Sequence, residues 1–204
     1  MALVKYNNNS LSSITAVAGL SSGAMNLITT NTISSGVTSS SFTSSIDSTY
    51  DTYLFKFINI HPATDNTHFQ VNFRDGSSAF DATKTTTMFF ARHKEDDSAT
   101  SFSYSTGEDT AQGTGYQNLY FDTGNGNDES GSGEMFLFNP SSTTFVKHFI
   151  ARASSYGETP REYNTFCAGY CNVTAAIDGV DFKMSSGNID SGVIKMYGLS
   201  KSWA

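Results

Sequence analysis

Apolar and polar residues alternate along much of the chain after residue 48, with the two-residue period of a β-strand that buries one face. His68–Arg74 is the clearest example, since Phe69, Val71 and Phe73 fall on one side and four polar residues on the other. Tyr50–Ile60 is apolar on both sides for much of its length, which is typical of a central strand. Further strands are predicted at Thr85–Arg92, Phe102–Tyr104, Tyr116–Phe121, Glu134–Asn139, Phe145–Ala153 and Phe166–Cys171.

The last predicted strands lie in Asp178–Leu199 and form the plainest strand pair in the sequence. Val180, Phe182 and Met184 alternate with polar residues, and a second alternating run follows the turn-forming stretch Ser185–Gly192. We predict that the two runs pair as a closing β-hairpin, which would hold the end of the chain in a sheet.

The first 45 residues differ from the rest, because apolar residues are spread thinly among Ser, Thr, Gly and Asn. Such a stretch buries too little apolar surface on its own to offset the entropy of ordering it. Two interpretations stay open: a disordered leader, and an extended arm that becomes ordered against a neighbouring subunit. We favour the arm, because the apolar residues recur too regularly for a plain linker.

These patterns together predict an all-β protein, since no segment alternates strands with helical periodicity. We expect an antiparallel β-sandwich of jelly-roll type over residues 46–204, preceded by an extended N-terminal arm over residues 1–45. The 204-residue length suits one large all-β domain with an arm, and 16 Phe and 10 Tyr can fill a sizeable core.

Composition and charge narrow the classes of partner. The net charge of −7 argues against binding nucleic acid, which requires a clustered basic face. The chain has no apolar run of about 18 residues, so we expect no membrane insertion. Met1–Ser10 lacks the apolar stretch of a signal peptide, so we expect a protein made in the cytoplasm that stays there or leaves within a larger assembly. Cys167 and Cys171 are interpreted as small apolar residues.

Two groups of residues have the chemical types that bind metals. His61, Asp65 and His68 offer imidazole and carboxylate donors, but the pattern gives no reason for them to converge. A glycine-rich loop offers oxygen ligands without the spacing of a known calcium loop. Its polar residues are Asp122, Asn125, Asn127, Asp128 and Glu129. We therefore predict no metal site and no cofactor.

The sequence shows no arrangement typical of catalysis. Its many serines lack a nucleophile-elbow motif, and no carboxylate pair is predicted to converge in a cleft as a glycosidase requires. We predict that the protein is not an enzyme and has no catalytic residues. Glycan binding is a separate class, since jelly-roll domains often bind sugars through exposed aromatic side chains. The candidates are Tyr104, Tyr116, Tyr156 and Tyr163, whose alternative interpretation is as half-buried strand residues.

Several segments resemble virion proteins of marine tailed bacteriophages, cyanophages in particular. The likeness is best at Met184–Leu199, which resembles the closing segment of those proteins. Further similar blocks are Ser44–Tyr53, Ile60–Asn66, Thr83–Met88, Leu137–Phe149 and Ala168–Asn172. Each block is weak alone, and together they are specific over residues 26–199. The resemblance implies a structural role in the particle, as a capsid decoration or a tail or fibre appendage.

We therefore expect a non-enzymatic virion structural protein that is assembled in the host cytoplasm and docks on neighbouring subunits through its N-terminal arm. The expected partners are other virion proteins and further copies of this chain, with a trimer favoured. The alternative is a carbohydrate-binding module on a phage fibre that recognises host-surface glycans.

Overall fold

A computed structural model describes residues 24–200 of the 204-residue chain. The described residues form twelve β-strands and no helix, which confirms the predicted all-β fold. Nothing in residues 24–200 therefore has the helical length and apolar character of a membrane span. The strands are β1 (Met25–Ile33), β2 (Ser40–Phe42), β3 (Thr52–Pro62), β4 (Thr67–Arg74), β5 (Lys84–Lys94), β6 (Thr100–Tyr104), β7 (Gln117–Thr123), β8 (Gly131–Phe138), β9 (Lys147–Tyr156), β10 (Arg161–Cys171), β11 (Gly179–Met184) and β12 (Ile189–Leu199).

The strands form two antiparallel sheets of unequal size. The large sheet has eight strands in the order β1-β12-β3-β8-β9-β10-β5-β6, and the small sheet has four in the order β2-β11-β4-β7. The predicted antiparallel β-sandwich is confirmed, whereas the jelly-roll order of connections stays a prediction. The small sheet packs on one face of the large sheet, and we call the opposite face the outer face.

Aromatic side chains fill the space between the sheets. Phe182 of β11 lies 5.5 Å from Phe55 and 5.3 Å from Phe57, both on β3. At the next pair of strands, Phe73 of β4 lies 5.0 Å from Phe149 of β9. Such ring pairs add about 0.5–1.5 kcal/mol beyond the apolar area that they bury. The core is therefore one continuous aromatic layer between the two sheets.

The clearest strand predictions agree with the structure. Phe69, Val71 and Phe73 are all fully buried on β4, as their alternation predicts. The predicted central strand is β3, which lies between β12 and β8 and ends at Pro62. The strand predicted to end at Ala153 continues as β9 to Tyr156, and the strand predicted to begin at Phe166 begins as β10 at Arg161.

The predicted closing hairpin is wrong in its pairing, although both of its strands exist. β11 pairs with β2 and β4 in the small sheet, whereas β12 pairs with β1 and β3 in the large sheet. The turn after Met184 therefore crosses from one sheet to the other, with Gly187 at a φ of 69°. Alternation shows which face of a strand is buried, but it does not identify the strand's neighbour.

The predicted arm is wrong for residues 25–42, which belong to the sandwich. β1 pairs with β12 at one edge of the large sheet, and β2 pairs with β11 at one edge of the small sheet. These segments contain few apolar residues, and Ile33 and Phe42 are buried because the sheets that they extend cover them. The rest of the predicted arm, residues 1–23, lies outside the described residues.

Candidate binding surfaces on the large sheet

The four tyrosines predicted to contact a glycan do not share a surface. Tyr163 is fully buried, and its hydroxyl donates to Asp122 Oδ2 at 2.8 Å and accepts from Arg161 Nη1 at 3.1 Å. Burial raises the pKa of Tyr163. The assignment of Tyr163 as a glycan contact is therefore wrong, because its ring faces the core between the sheets.

Tyr116 is also held within the fold rather than presented to a ligand. Its hydroxyl donates to Asp181 Oδ2 at 2.7 Å, and Lys183 Nζ lies 4.4 Å from its ring centroid. Burial, followed by the hydrogen bond to Asp181, raises the pKa of Tyr116. Asp181 itself is buried and also accepts from Ser41 Oγ at 2.5 Å. Tyr116 thus belongs to a polar network on the small sheet.

Tyr104 and Tyr156 keep more exposed surface. Tyr104 lies on the edge strand β6, opposite Phe89, and its hydroxyl donates to Asp109 Oδ2 at 2.5 Å. That hydrogen bond raises the pKa of Tyr104. Tyr156 is half-buried at the end of β9, where partial burial and then Glu95 raise its pKa. Tyr104 and Tyr156 are therefore the two candidates on the outer face of the large sheet, Tyr104 opposite Phe89 and Tyr156 opposite Glu162.

The residues weighed as metal ligands make contacts with the protein. His61 Nδ1 hydrogen-bonds with the Glu129 carbonyl at 2.7 Å, and the Asp122 amide donates to His68 Nδ1 at 3.2 Å. The Gly126 amide donates to the Glu129 carboxylate at 2.7 Å. Within residues 24–200, no three His, Cys, Asp or Glu side chains are grouped so that they could hold a metal ion.

Both cysteines are free and buried, as interpreted from the sequence. Burial raises the pKa of each thiol to about 12. Cys171 lies between two fully buried lysines in the register of the large sheet, Lys84 on β5 and Lys147 on β9. The thiols are therefore protonated interior groups at neutral pH.

An uncharged row of side chains crosses the outer face of the large sheet. Cross-strand pairing places these residues opposite one another over six strands, and we call the row the apolar band: Leu27, Tyr197, Leu54, Phe136, Ile150 and Ala168. Leu27 is 55% exposed and Ile150 is 51% exposed, whereas Leu54 is buried and the other three members are half-buried. Phe138 extends the band sideways, because its ring stacks on Phe136 at 6.2 Å.

A groove of about 410 Å³ adjoins the β10 end of the apolar band. Gly169 forms part of its lining, and a Cβ there would lie 2.6 Å from the Thr85 carbonyl oxygen. That Cβ would point toward the buried Thr86 and Phe149, so Gly169 is required by the core beneath the groove. At the opposite end of the band, Met25 and Leu27 protrude from the edge strand β1. The two ends thus differ in shape, one recessed and one projecting.

The next rows along the strands are polar and form a second concavity. It measures about 380 Å³, and we call it the polar cleft. The side chains that line it include Lys56, Glu134, Arg152, Ser154, Glu162 and Asn164. The backbone of Gly133 also lines it, and a Cβ at this position would collide with the Arg152 carbonyl oxygen and the buried Ala153.

An aromatic patch borders the polar cleft on its β10 side. The rings of Phe89 and Phe166 stack at 5.0 Å, and Phe102 lies 5.6 Å from Phe89. Phe102 is 73% exposed. The guanidinium of Arg152 lies 5.2 Å from the centroid of the Phe166 ring, so one residue joins the cleft to the patch.

Sequence reasoning missed all three surfaces. The alternation in β9 does predict that Ile150 and Arg152 lie on the exposed face of the strand and that Phe149 and Ala151 lie on its buried face. Their grouping with Phe136 or Phe166 depends on the register in which the consecutive strands β8, β9 and β10 pair. A single sequence gives no register for such pairings.

Comparisons of the chain with protein-family models, with curated proteins and with solved structures found no match.

Proposed function

We propose that this chain is a non-enzymatic structural protein of a tailed-phage virion, a capsid decoration or a tail or fibre appendage. In this proposal its copies associate through the apolar band. The observation that carries it is the uncharged row over six strands on the outer face of the large sheet, in which Leu27 and Ile150 are exposed. The likeness of Met184–Leu199 and the other blocks to virion proteins of marine phages supports the biological setting.

The size of the apolar band fits an interface between subunits. Six strands at about 4.8 Å spacing give a row about 24 Å long. A stable interface buries about 800 Å² on each partner, which is a patch about 28 Å across, so the row spans such a patch in one direction. Exposed apolar side chains that lie along one row, here Leu27 and Ile150, are common at association surfaces.

The occupant that we propose for the band is a second copy of this chain. Copies of a chain with a net charge of −7 repel one another, and an uncharged contact surface keeps that repulsion away from the interface. The projecting Leu27 end and the recessed Gly169 end fit a head-to-tail contact. A head-to-tail contact that closes gives a ring, and we favour three copies.

The test is to locate the chain on particles. Phage particles purified from the cells that express it are analysed by mass spectrometry and by immunogold electron microscopy. We expect several copies per particle, with gold at one defined part of the head or tail. Absence of the chain from purified particles would contradict the proposal.

A further inference from the structure

We propose that the polar cleft and the aromatic patch beside it form a binding site for an oligosaccharide. This inference goes beyond the structural role above and does not depend on it. Two of the four tyrosines predicted from the sequence adjoin this site, Tyr104 opposite Phe89 of the patch and Tyr156 opposite Glu162 of the cleft.

The polar groups of the cleft are held in place by one another. Lys56 Nζ lies 3.3 Å from Glu134 Oε2, and Ser154 Oγ donates to Glu162 Oε1 at 2.9 Å. Arg152 Nε donates to Asn164 Oδ1 at 3.4 Å. Each of these bonds uses part of a side chain's capacity, since a guanidinium has five N–H donors and a carboxylate accepts at two oxygens.

The planar carboxylate, guanidinium and amide groups of the cleft can form paired hydrogen bonds with the hydroxyl groups of a sugar. Two neighbouring hydroxyls of a pyranose can bond to the two oxygens of Glu162 or to the paired N–H groups of Arg152. Asn164 offers a donor and an acceptor on one amide. Burial raises the pKa of Glu162, so its carboxyl group is already partly removed from water before a ligand arrives.

The aromatic patch supplies the apolar half of such a site. A pyranose has a face of C–H groups that packs on an aromatic ring, and Phe102 and Phe89 offer exposed rings next to the cleft. The ring of Phe166 fixes the Arg152 guanidinium by stacking. Less side-chain freedom is then lost when a ligand binds.

Charge and size favour a sugar over other ligands. Lys56 and Arg152 are balanced by Glu134 and Glu162, so the cleft has no excess positive charge for a phosphate or a nucleic acid. A volume of about 380 Å³ is within the range of small-ligand clefts, about 300–1,000 Å³. The charged lining excludes a lipid chain.

The experiment probes the full chain on an array of bacterial lipopolysaccharides and capsular polysaccharides, with dextran and alginate included. Binders are then measured by isothermal titration calorimetry with the free oligosaccharide. Arg152→Ala and Asn164→Ala should each weaken binding at least about ten-fold, because each removes hydrogen bonds to the ligand. The matched control is Arg92→Ala, since Arg92 also lies over a phenylalanine ring, Phe90 at 6.0 Å, outside the cleft.

Binding that is lost in the two cleft variants and kept in Arg92→Ala supports the site. A chain that binds none of the saccharides overturns it, and so does binding that Arg152→Ala and Asn164→Ala leave unchanged. Binding only to acidic polysaccharides that disappears in high salt also overturns it, because that is adsorption by charge. Circular dichroism melting of each variant verifies that the fold is intact.

Discussion

At the residue scale, the least expected feature of the interior is a pair of buried lysines. Lys84 Nζ donates to the carbonyls of Ala82 at 3.1 Å and Gly115 at 2.6 Å, and Lys147 Nζ donates to Val173 at 2.9 Å. None of the ion pairs found within residues 24–200 includes either lysine. Burial lowers the pKa of Lys84 to about 8. Carbonyl acceptors replace only part of the lost hydration of the ammonium group.

The Lys84 pKa predicts a pH dependence of stability. Between about pH 8 and the ordinary lysine value of 10.5, the unfolded chain binds this proton and the folded chain does not. Lys84 alone therefore raises the free energy of unfolding with pH in that window, by roughly 2 kcal/mol from pH 8 to 9.5. The thiols of Cys167 and Cys171 oppose this rise, because they ionise near the ordinary thiol pKa of 9.0 in the unfolded chain and stay protonated in the folded one. Denaturant titrations at several pH values should therefore show that the free energy of unfolding of the unaltered chain increases relative to that of Lys84→Met, which keeps both thiols and lacks the lysine.

The pH series should end near pH 10, because burial raises the pKa values of Tyr120 and Tyr163. Above pH 10 the unfolded tyrosines ionise first, which lowers the free energy of unfolding and opposes the lysine effect. Parallel stability curves for the two proteins between pH 8 and 9.5 would contradict the assignment of the rise to Lys84.

Gly131 supports a second prediction at the residue scale. It lies against the ring of the buried Tyr120, and a Cβ at this position would collide with that ring. Gly131→Ala should lower the free energy of unfolding by about 1–3 kcal/mol through overpacking. Gly107→Ala is the control, because nothing lies within 4 Å of a Cβ there, and it should change stability by less than about 0.5 kcal/mol. Equal denaturation midpoints for the two variants would show that the core accommodates the methyl group.

Single positions also show where sequence patterns stop being informative. The burial of Phe69, Val71 and Phe73 follows from alternation, but Asn72 on the opposite face is 1% exposed. Its Nδ2 donates to the carbonyls of Phe80 at 2.5 Å and Thr114 at 2.9 Å, which belong to loops that cover this face. The alternation of a strand does not reveal that a distant loop covers its polar side.

At the element scale, the last strand, β12, pairs with the first described strand, β1. β12 was expected to pair with β11, but its neighbours are β3 and β1. β2 contributes Phe42, whose ring lies 5.4 Å from Phe55 and 6.1 Å from Phe182. The strands formed by residues 25–42 therefore cover both the edge of β12 and part of the aromatic core.

Removal of these first strands should destabilise the sandwich. A chain without residues 1–45 loses β1 and β2. β12 then becomes the edge strand of the large sheet, and the core loses the Phe42 side chain. Loss of a buried phenylalanine alone costs about 3–5 kcal/mol. Thermal unfolding followed by circular dichroism should show a clearly lower melting temperature than that of a reference chain that lacks only residues 1–23. Equal melting temperatures would mean that β1 and β2 contribute nothing to the fold.

At the scale of the whole molecule, the sequence predicts the fold class but not the surfaces. Strand-forming residues, regular turns and abundant aromatics are sufficient to predict an all-β sandwich. The division into eight and four strands, and with it the exposed outer face, depends on long-range pairing. The apolar band and the polar cleft exist only because that pairing brings β3, β8, β9 and β10 into one register.

The most direct test of the account measures the mass of the full chain in solution. Size-exclusion chromatography with light scattering is applied to the unaltered chain, to Ile150→Asp in the centre of the apolar band, and to Phe145→Asp. Phe145 is 70% exposed and lies outside the band, so it controls for the introduction of a charge in place of an exposed apolar residue. We predict an oligomer, about 66 kDa for three copies of a 22.0 kDa chain, that Ile150→Asp dissociates and Phe145→Asp preserves. A monomeric unaltered chain, or an oligomer that survives Ile150→Asp, would contradict the account.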